Sequence, residues 1–98
     1  MGMMKMAKYR PQPTAKYKKD VKLLKKRGYD LSLLKDIVTK LANGETLEKQ
    51  YCDHPLKGNR KGYRDCHIQS DWVLIYKIDK DVLTLILSET GTHSDILE

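Results

Sequence analysis

Three histidines, His54, His67 and His93, fall in the second half of this 98-residue chain, with Asp71 between the last two. Imidazole titrates near neutral pH, so each ring can take or give a proton under cellular conditions. Such groups suit RNA cleavage without a metal. A base removes the proton from a ribose 2′-hydroxyl, the oxygen attacks the adjacent phosphorus, and an acid protonates the departing 5′-oxygen. Each positioned proton transfer contributes roughly 10²–10⁴-fold. Positive charge must also offset the charge building on the phosphoryl oxygens, and Lys57, Arg60, Lys61 and Arg64 stand nearby in sequence. Residue types alone leave ordinary structural roles open. Any of the histidines can be an exposed or packing side chain, Asp71 a turn residue ahead of Trp72, and Arg64 half of an ion pair.

Other chemistry is less well supplied. Cys52-x-His54 and Cys66-His67 resemble metal-ligand pairs, but neighbours on a strand point to opposite faces, so Cys66 and His67 could not easily share one ion. The two cysteines read as small hydrophobes rather than a disulfide. Neither a metal nor another cofactor is expected. No apolar run approaches the roughly 20 residues needed to span a bilayer. Residues 1–6 carry only Lys5 and lack the apolar stretch of a signal peptide. Met6 stands where myristoylation would want Ser or Thr. A cytoplasmic protein without membrane contact is therefore expected. The net charge of +6 is uneven: residues 1–27 hold ten Lys or Arg against one Asp, and residues 28–98 hold nine against twelve acids. That basic segment suits phosphate backbones or an acidic partner, and equally the solvated face of an amphipathic helix.

The elements that must position the histidines follow from periodicity. Pro11 and Pro13 break any early helix, leaving a short edge strand or arm over 7–10. Thr14 can cap a helix over 15–27, with Tyr17, Val21 and Leu24 on one apolar stripe and Gly28 as its left-handed end. Asp30 or Ser32 can cap a second helix, with Leu34, Ile37, Val38 and Leu41 at helical spacing, ended by Asn43-Gly44. Beyond Gly44 the pattern turns to strands over 63–68, 72–78 and 82–87, with Asp79-Lys80-Asp81 as a hairpin turn. The 72–78 strand, almost continuously apolar, is the expected centre. Trp72 and Tyr76 share one of its faces by parity and should be buried, while Tyr51 and Tyr63 remain candidates for base stacking. Asp65 is expected to pair with a nearby base. A short helical turn from about Ser94 closes the chain. The fold class expected is α+β, a single domain over 1–98: an N-terminal helical hairpin on a small antiparallel sheet, with residues 1–7 as a flexible extension.

Four ordered segments carry a resemblance. They are Asp53-His54-Pro55-Leu56-Lys57-Gly58, then Gly62-Tyr63-Arg64-Asp65-Cys66-His67-Ile68, then Asp71-Trp72-Val73-Leu74-Ile75-Tyr76-Lys77, and finally Gly91-Thr92-His93-Ser94. With Tyr17-Lys18-Lys19-Asp20-Val21-Lys22 and Lys26-Arg27 upstream, the chain from about Lys16 resembles the YafQ branch of the RelE/ParE toxin superfamily. The resemblance implies a ribosome-dependent endoribonuclease acting on mRNA and silenced by a DinJ-like antitoxin. It places active-site roles on His54, His67, Asp71 and His93, gathered in one concave face. His93 is the first choice for direct proton transfer, and His54 and His67 share acid/base work and phosphate contacts. RNA contacts would fall on Lys57, Arg60, Lys61, Arg64 and Leu97. One position departs from the pattern: the family often has an aromatic residue four positions after its last histidine, where this chain has Leu97. That change keeps apolar contact with a base but loses the stacking face.

Two other functions fit the same residues. A ParE-like inhibitor of DNA gyrase would share the fold without needing the histidines. A basic nucleic-acid-binding module would bind naked nucleic acid with steep salt dependence and cause no growth arrest.

Overall fold

The computed structural model describes residues 7–96, and at its centre lies a five-stranded sheet in the order β1-β5-β4-β3-β2. The strands are β1 (Arg10–Pro13), β2 (His54–Pro55), β3 (Arg64–Gln69), β4 (Trp72–Asp79) and β5 (Thr84–Gly91). β2 to β5 run antiparallel in turn, as expected from the short connections. β1 instead pairs parallel with β5, so the sheet is mixed rather than purely antiparallel. The correction has a physical reason. The edge strand begins at Arg10 and runs through both prolines, because Arg10 N–H and Thr14 N–H donate to Leu83 and Leu87 carbonyls. Pro11 and Pro13 fall on the opposite phase, where a missing N–H costs no ladder bond and blunts the outer edge.

The helical hairpin is α1 (Ala15–Lys26) and α2 (Leu31–Ala42). Thr14 caps α1 by accepting Tyr17 N–H at 3.0 Å, and its own hydroxyl donates to the Ser88 carbonyl at 2.7 Å. α1 ends at Gly28, whose φ of +85° is the left-handed conformation glycine adopts at least cost. Asp30, not Ser32, caps α2, accepting Ser32 N–H at 3.0 Å. Tyr17, Leu24, Leu34, Ile37 and Leu41 face one side of the sheet and meet Cys66, Trp72, Leu74, Tyr76, Leu85 and Leu87 there. Trp72 and Tyr76 are buried as parity required. The Trp72 indole N–H donates to Thr90 Oγ1 at 2.9 Å.

The other face of β3 and β4 carries only a small apolar cluster: Val73, Ile75 and Ile96, with Leu56 and Tyr63 against them. A single helical turn, α3 (His93–Ile96), lies over it. Residues 1–6 of the expected N-terminal extension lie outside the described residues, and Ala7 is exposed. No helix among the described residues is long and apolar enough to cross a membrane.

Candidate active site

Strand register decides where the histidines point. His67 pairs with Val73, and Val73 with Gly91; one row along, His54 pairs with Asp65, Asp65 with Ile75, and Ile75 with Glu89. Val73 and Ile75 face away from the helices, so His54, Asp65, His67 and Glu89 share that second face. Cys66 points the other way into the helix-side core, where burial pushes its thiol pKa well above the ordinary value. Adjacent in sequence, Cys66 and His67 are thus separated by the sheet.

His93 begins α3, immediately beyond the end of β5, and meets two of the expected partners. Its Nδ1 lies 2.9 Å from Asp71 Oδ1, and its backbone N–H donates to the same oxygen at 3.3 Å. These two bonds, the imidazole first, hold the Asp71 carboxyl below its ordinary value. The His67 and His93 rings stand edge to face with centroids 5.2 Å apart. His54 is set apart on β2, half exposed. Its Nδ1 is 2.6 Å from the Cys52 carbonyl, and its Nε2 is 4.0 Å from Asp65 Oδ2. His67, His93 and Asp71 therefore form one constellation, with His54 on the same face beyond Asp65.

A family model for the bacterial toxin of type II toxin–antitoxin systems, YafQ, matches residues 9–98. The chain belongs to the YafQ toxin family. The match starts well before Lys16 and takes in the edge strand as well as the helices. The mRNA interferase toxin YafQ of Escherichia coli K12 is 46% identical over 82 residues, covering 83% of this chain and 87% of that protein. The YafQ fold in the Escherichia coli DinJ–YafQ toxin–antitoxin complex superposes with a TM-score of 0.85 at 41% identity, over 93% of this chain and 99% of that one. A metal-bound toxin from Helicobacter pylori also has a TM-score of 0.85, at 42% identity over 90% of this chain and 98% of that one. Among the described residues of this YafQ-family chain, no three His, Cys, Asp or Glu side chains come close enough to hold an ion. No chemical step is assigned to a metal.

The basic residues near the histidines divide. Lys57 and Lys61 are exposed. Arg64 alternates with His67 onto the other phase of β3, where its Nε donates to Asp53 Oδ1 at 3.0 Å; the same oxygen accepts the Tyr76 hydroxyl at 2.7 Å. Arg60 reaches the histidine face, but its guanidinium is occupied: Nη1 is 3.1 Å from Glu89 Oε2, and Nη2 donates to the Ile96 carbonyl at 3.2 Å. Leu97 lies outside the described residues. Tyr63 and Tyr51 are half-buried, each beneath a lysine ammonium.

Two acidic residues also belong to this face, and one of them, Glu89, was not anticipated. Asp65 is 2% exposed, and its Oδ1 has no hydrogen-bond partner among the described residues. The nearby base it faces is the His54 ring, at 4.0 Å, and no lysine or arginine among the described residues stands within ion-pair distance. Glu89 pairs with Arg60 at 3.1 Å and has Lys16 at 3.9 Å on its other oxygen. Strict alternation from Leu85 and Leu87 would bury it under the helices. An irregularity in register, where Tyr76 pairs with Leu87 but Ile75 with Glu89, leaves Ser88 unmatched and turns Glu89 to the histidine face. No local signal in the residues marks that extra position.

Proposed function

We propose that this chain is a type II toxin that cuts mRNA presented by the ribosome, exchanging protons through His54, His67 and His93 without a metal. The observation that carries the reading is the Asp71–His93 pair standing against His67 on one sheet face. An ionised carboxylate only accepts, so the hydrogen between the two sits on His93 Nδ1. That leaves Nε2 as the nitrogen that exchanges a proton with substrate, in a ring whose orientation is fixed from behind. His67, edge-on to it, and His54, beyond Asp65, share the remaining acid/base work and phosphate contacts. Lys57 and Lys61 supply exposed charge for the RNA backbone. Leu97 offers a base apolar contact without stacking.

The substrate places the activity in the cytoplasm, and an active nuclease there must be silenced. A DinJ-like antitoxin fits, with an acidic or extended segment that folds on binding. Lys18, Lys19, Lys22, Lys25 and Lys26 of α1 are exposed on the helix layer, whereas Lys16 is taken up by Asp20 at 2.6 Å and comes within 3.9 Å of Glu89. The other five are available to such a partner or to ribosomal phosphates rather than to the scissile bond.

The test is to map transcript 5′ ends after brief induction, alongside His93→Ala. Cuts at defined positions are expected from the unaltered chain. None is expected from His93→Ala with its circular dichroism retained. Intact transcripts with blocked gyrase would favour the ParE-like alternative, and full toxicity of His93→Ala would remove the assignment of that ring.

A further inference from the structure

α3 has four residues, His93–Ile96, and begins with the residue assigned to proton transfer. One helical turn cannot sustain itself in water, because nucleation costs more than a single turn returns. Its position is set from outside, by three ties. Asp71 holds the His93 end. Asp95 accepts Thr92 N–H at 3.0 Å and meets Arg27 Nη1 at 3.1 Å, joining the turn to α1. The third tie is Arg60.

Arg60 ends the one-turn 3-10 helix Gly58–Arg60 in the connection between β2 and β3. To reach Glu89 on β5 it must cross β4 on the face where Ile96 packs against Val73 and Ile75. Both terminal nitrogens are engaged there. Nη1 is fully buried beside Glu89, at an angle outside hydrogen-bond geometry, and Nη2 donates to the Ile96 carbonyl. A carbonyl in the last turn of a helix has no partner within it, so this bond satisfies a group that α3 cannot. A guanidinium turned inward in this way has little left to offer a phosphate.

We propose that Arg60 is a positioning residue that straps α3 to β5 through Glu89 and the Ile96 carbonyl, setting His93 against His67 and Asp71. Its catalytic consequence rests on the nuclease reading, whereas the strap itself can be measured without RNA. Arg60→Met keeps the aliphatic stem, and Arg60→Lys keeps the charge. A single ammonium cannot span two acceptors as a planar fork does, so the strap requires the two variants to fail alike.

In the free protein, the Asp71 carboxyl titration, followed by carbon NMR, should move up toward the ordinary carboxylate range in both variants as His93 loosens. With ribosome-bound mRNA, the cleavage rate constant should fall between about 10- and 100-fold, the loss that misplacement of a catalytic group by about an ångström produces. Half-saturation should stay unchanged. An unaltered Asp71 titration in Arg60→Lys overturns the strap, and that variant remains informative should Arg60→Met fail to fold. So does a lysine variant that cleaves normally while the methionine variant loses only RNA affinity, which would make Arg60 a phosphate ligand. Absence of cleavage by the unaltered chain would count against the nuclease reading and leave the NMR result standing.

Discussion

Asp71 is largely exposed, with 68% of its side chain open to solvent, and an ion pair in that setting contributes little to stability. Its contribution is to the identity of the nitrogen that carries hydrogen. A carboxylate accepts only, so it enforces hydrogen on His93 Nδ1. The amide of Asp71→Asn can accept or donate, and by donating it would move that hydrogen to Nε2 and present the wrong tautomer to substrate. Cleavage by Asp71→Asn should therefore fall by about 10² or more, within the range a positioned proton transfer supplies. The urea midpoint should stay where it was. A variant that cleaves at the unaltered rate would reduce Asp71 to a turn residue. Asp65 offers a contrast within the same face: it is buried, with one oxygen lacking a partner, and its nearest histidine is at 4.0 Å rather than 2.9 Å.

Among the elements, the end of β5 is where backbone and site are most tightly joined. A Cβ on Gly91 would lie 3.1 Å from Asp95 Oδ2 and 3.2 Å from Asp95 Cβ, closer than ordinary packing allows, and the same Oδ2 accepts from Thr92 N–H and Arg27. Gly91→Ala should displace Asp95, release α3 from α1 and lower cleavage. The stability loss should be about 1–3 kcal/mol, typical of overpacking, and readable as a lower urea midpoint. An unchanged variant would show that the turn yields freely. How far these elements were legible differs by physical cause. The caps at Thr14 and Asp30, the glycine ends and the apolar stripes are local, and they appeared within a few residues of their expected places. The pairing of His67, Asp71 and His93 rests on strand register and on the β4–β5 hairpin, which brings together Asp71 and His93 across 22 residues of chain; the motifs that resemble the YafQ family pointed to it, while spacing by itself could not. β1 lies three residues later than the edge strand expected over 7–10, because the prolines that break a helix sit within the strand itself. On a parallel edge their alternating phase makes them compatible with one. Glu89 was hidden by the irregularity at Ser88, and the destination of Arg60 was hidden with it.

At the scale of the whole molecule, the sheet has the helices and the principal core on one side and the histidines with Asp65 and Glu89 on the other, and α1 reaches the second side at its ends, through Lys16 to Glu89 and Arg27 to Asp95. The two carboxylates tied to α3 make the second side sensitive to acid. The His93 imidazole beside Asp71 lowers that carboxyl's pKa, and the backbone and hydroxyl of Thr92, with Arg27, lower that of Asp95. A carboxyl whose folded value lies below its unfolded value adds stability that is complete above the unfolded value, 3.8 for both groups. That stability is lost as pH falls through the folded value, because the unfolded chain takes up protons first. The opposite sign governs the alkaline side. Burial raises Tyr17 from 10.0 to about 12 and raises Tyr76 as well. Unfolded tyrosines therefore ionise first, and their contribution, full below pH 10, is lost as pH rises beyond it. Urea midpoints should accordingly fall between pH 4 and pH 3 and again above pH 10. The acid loss should be smaller in Asp71→Asn/Asp95→Asn, whereas the alkaline loss should persist there and diminish in Tyr17→Phe. An acid limb of undiminished depth in the double variant would mean that other carboxylates, not the ties of α3, govern the loss.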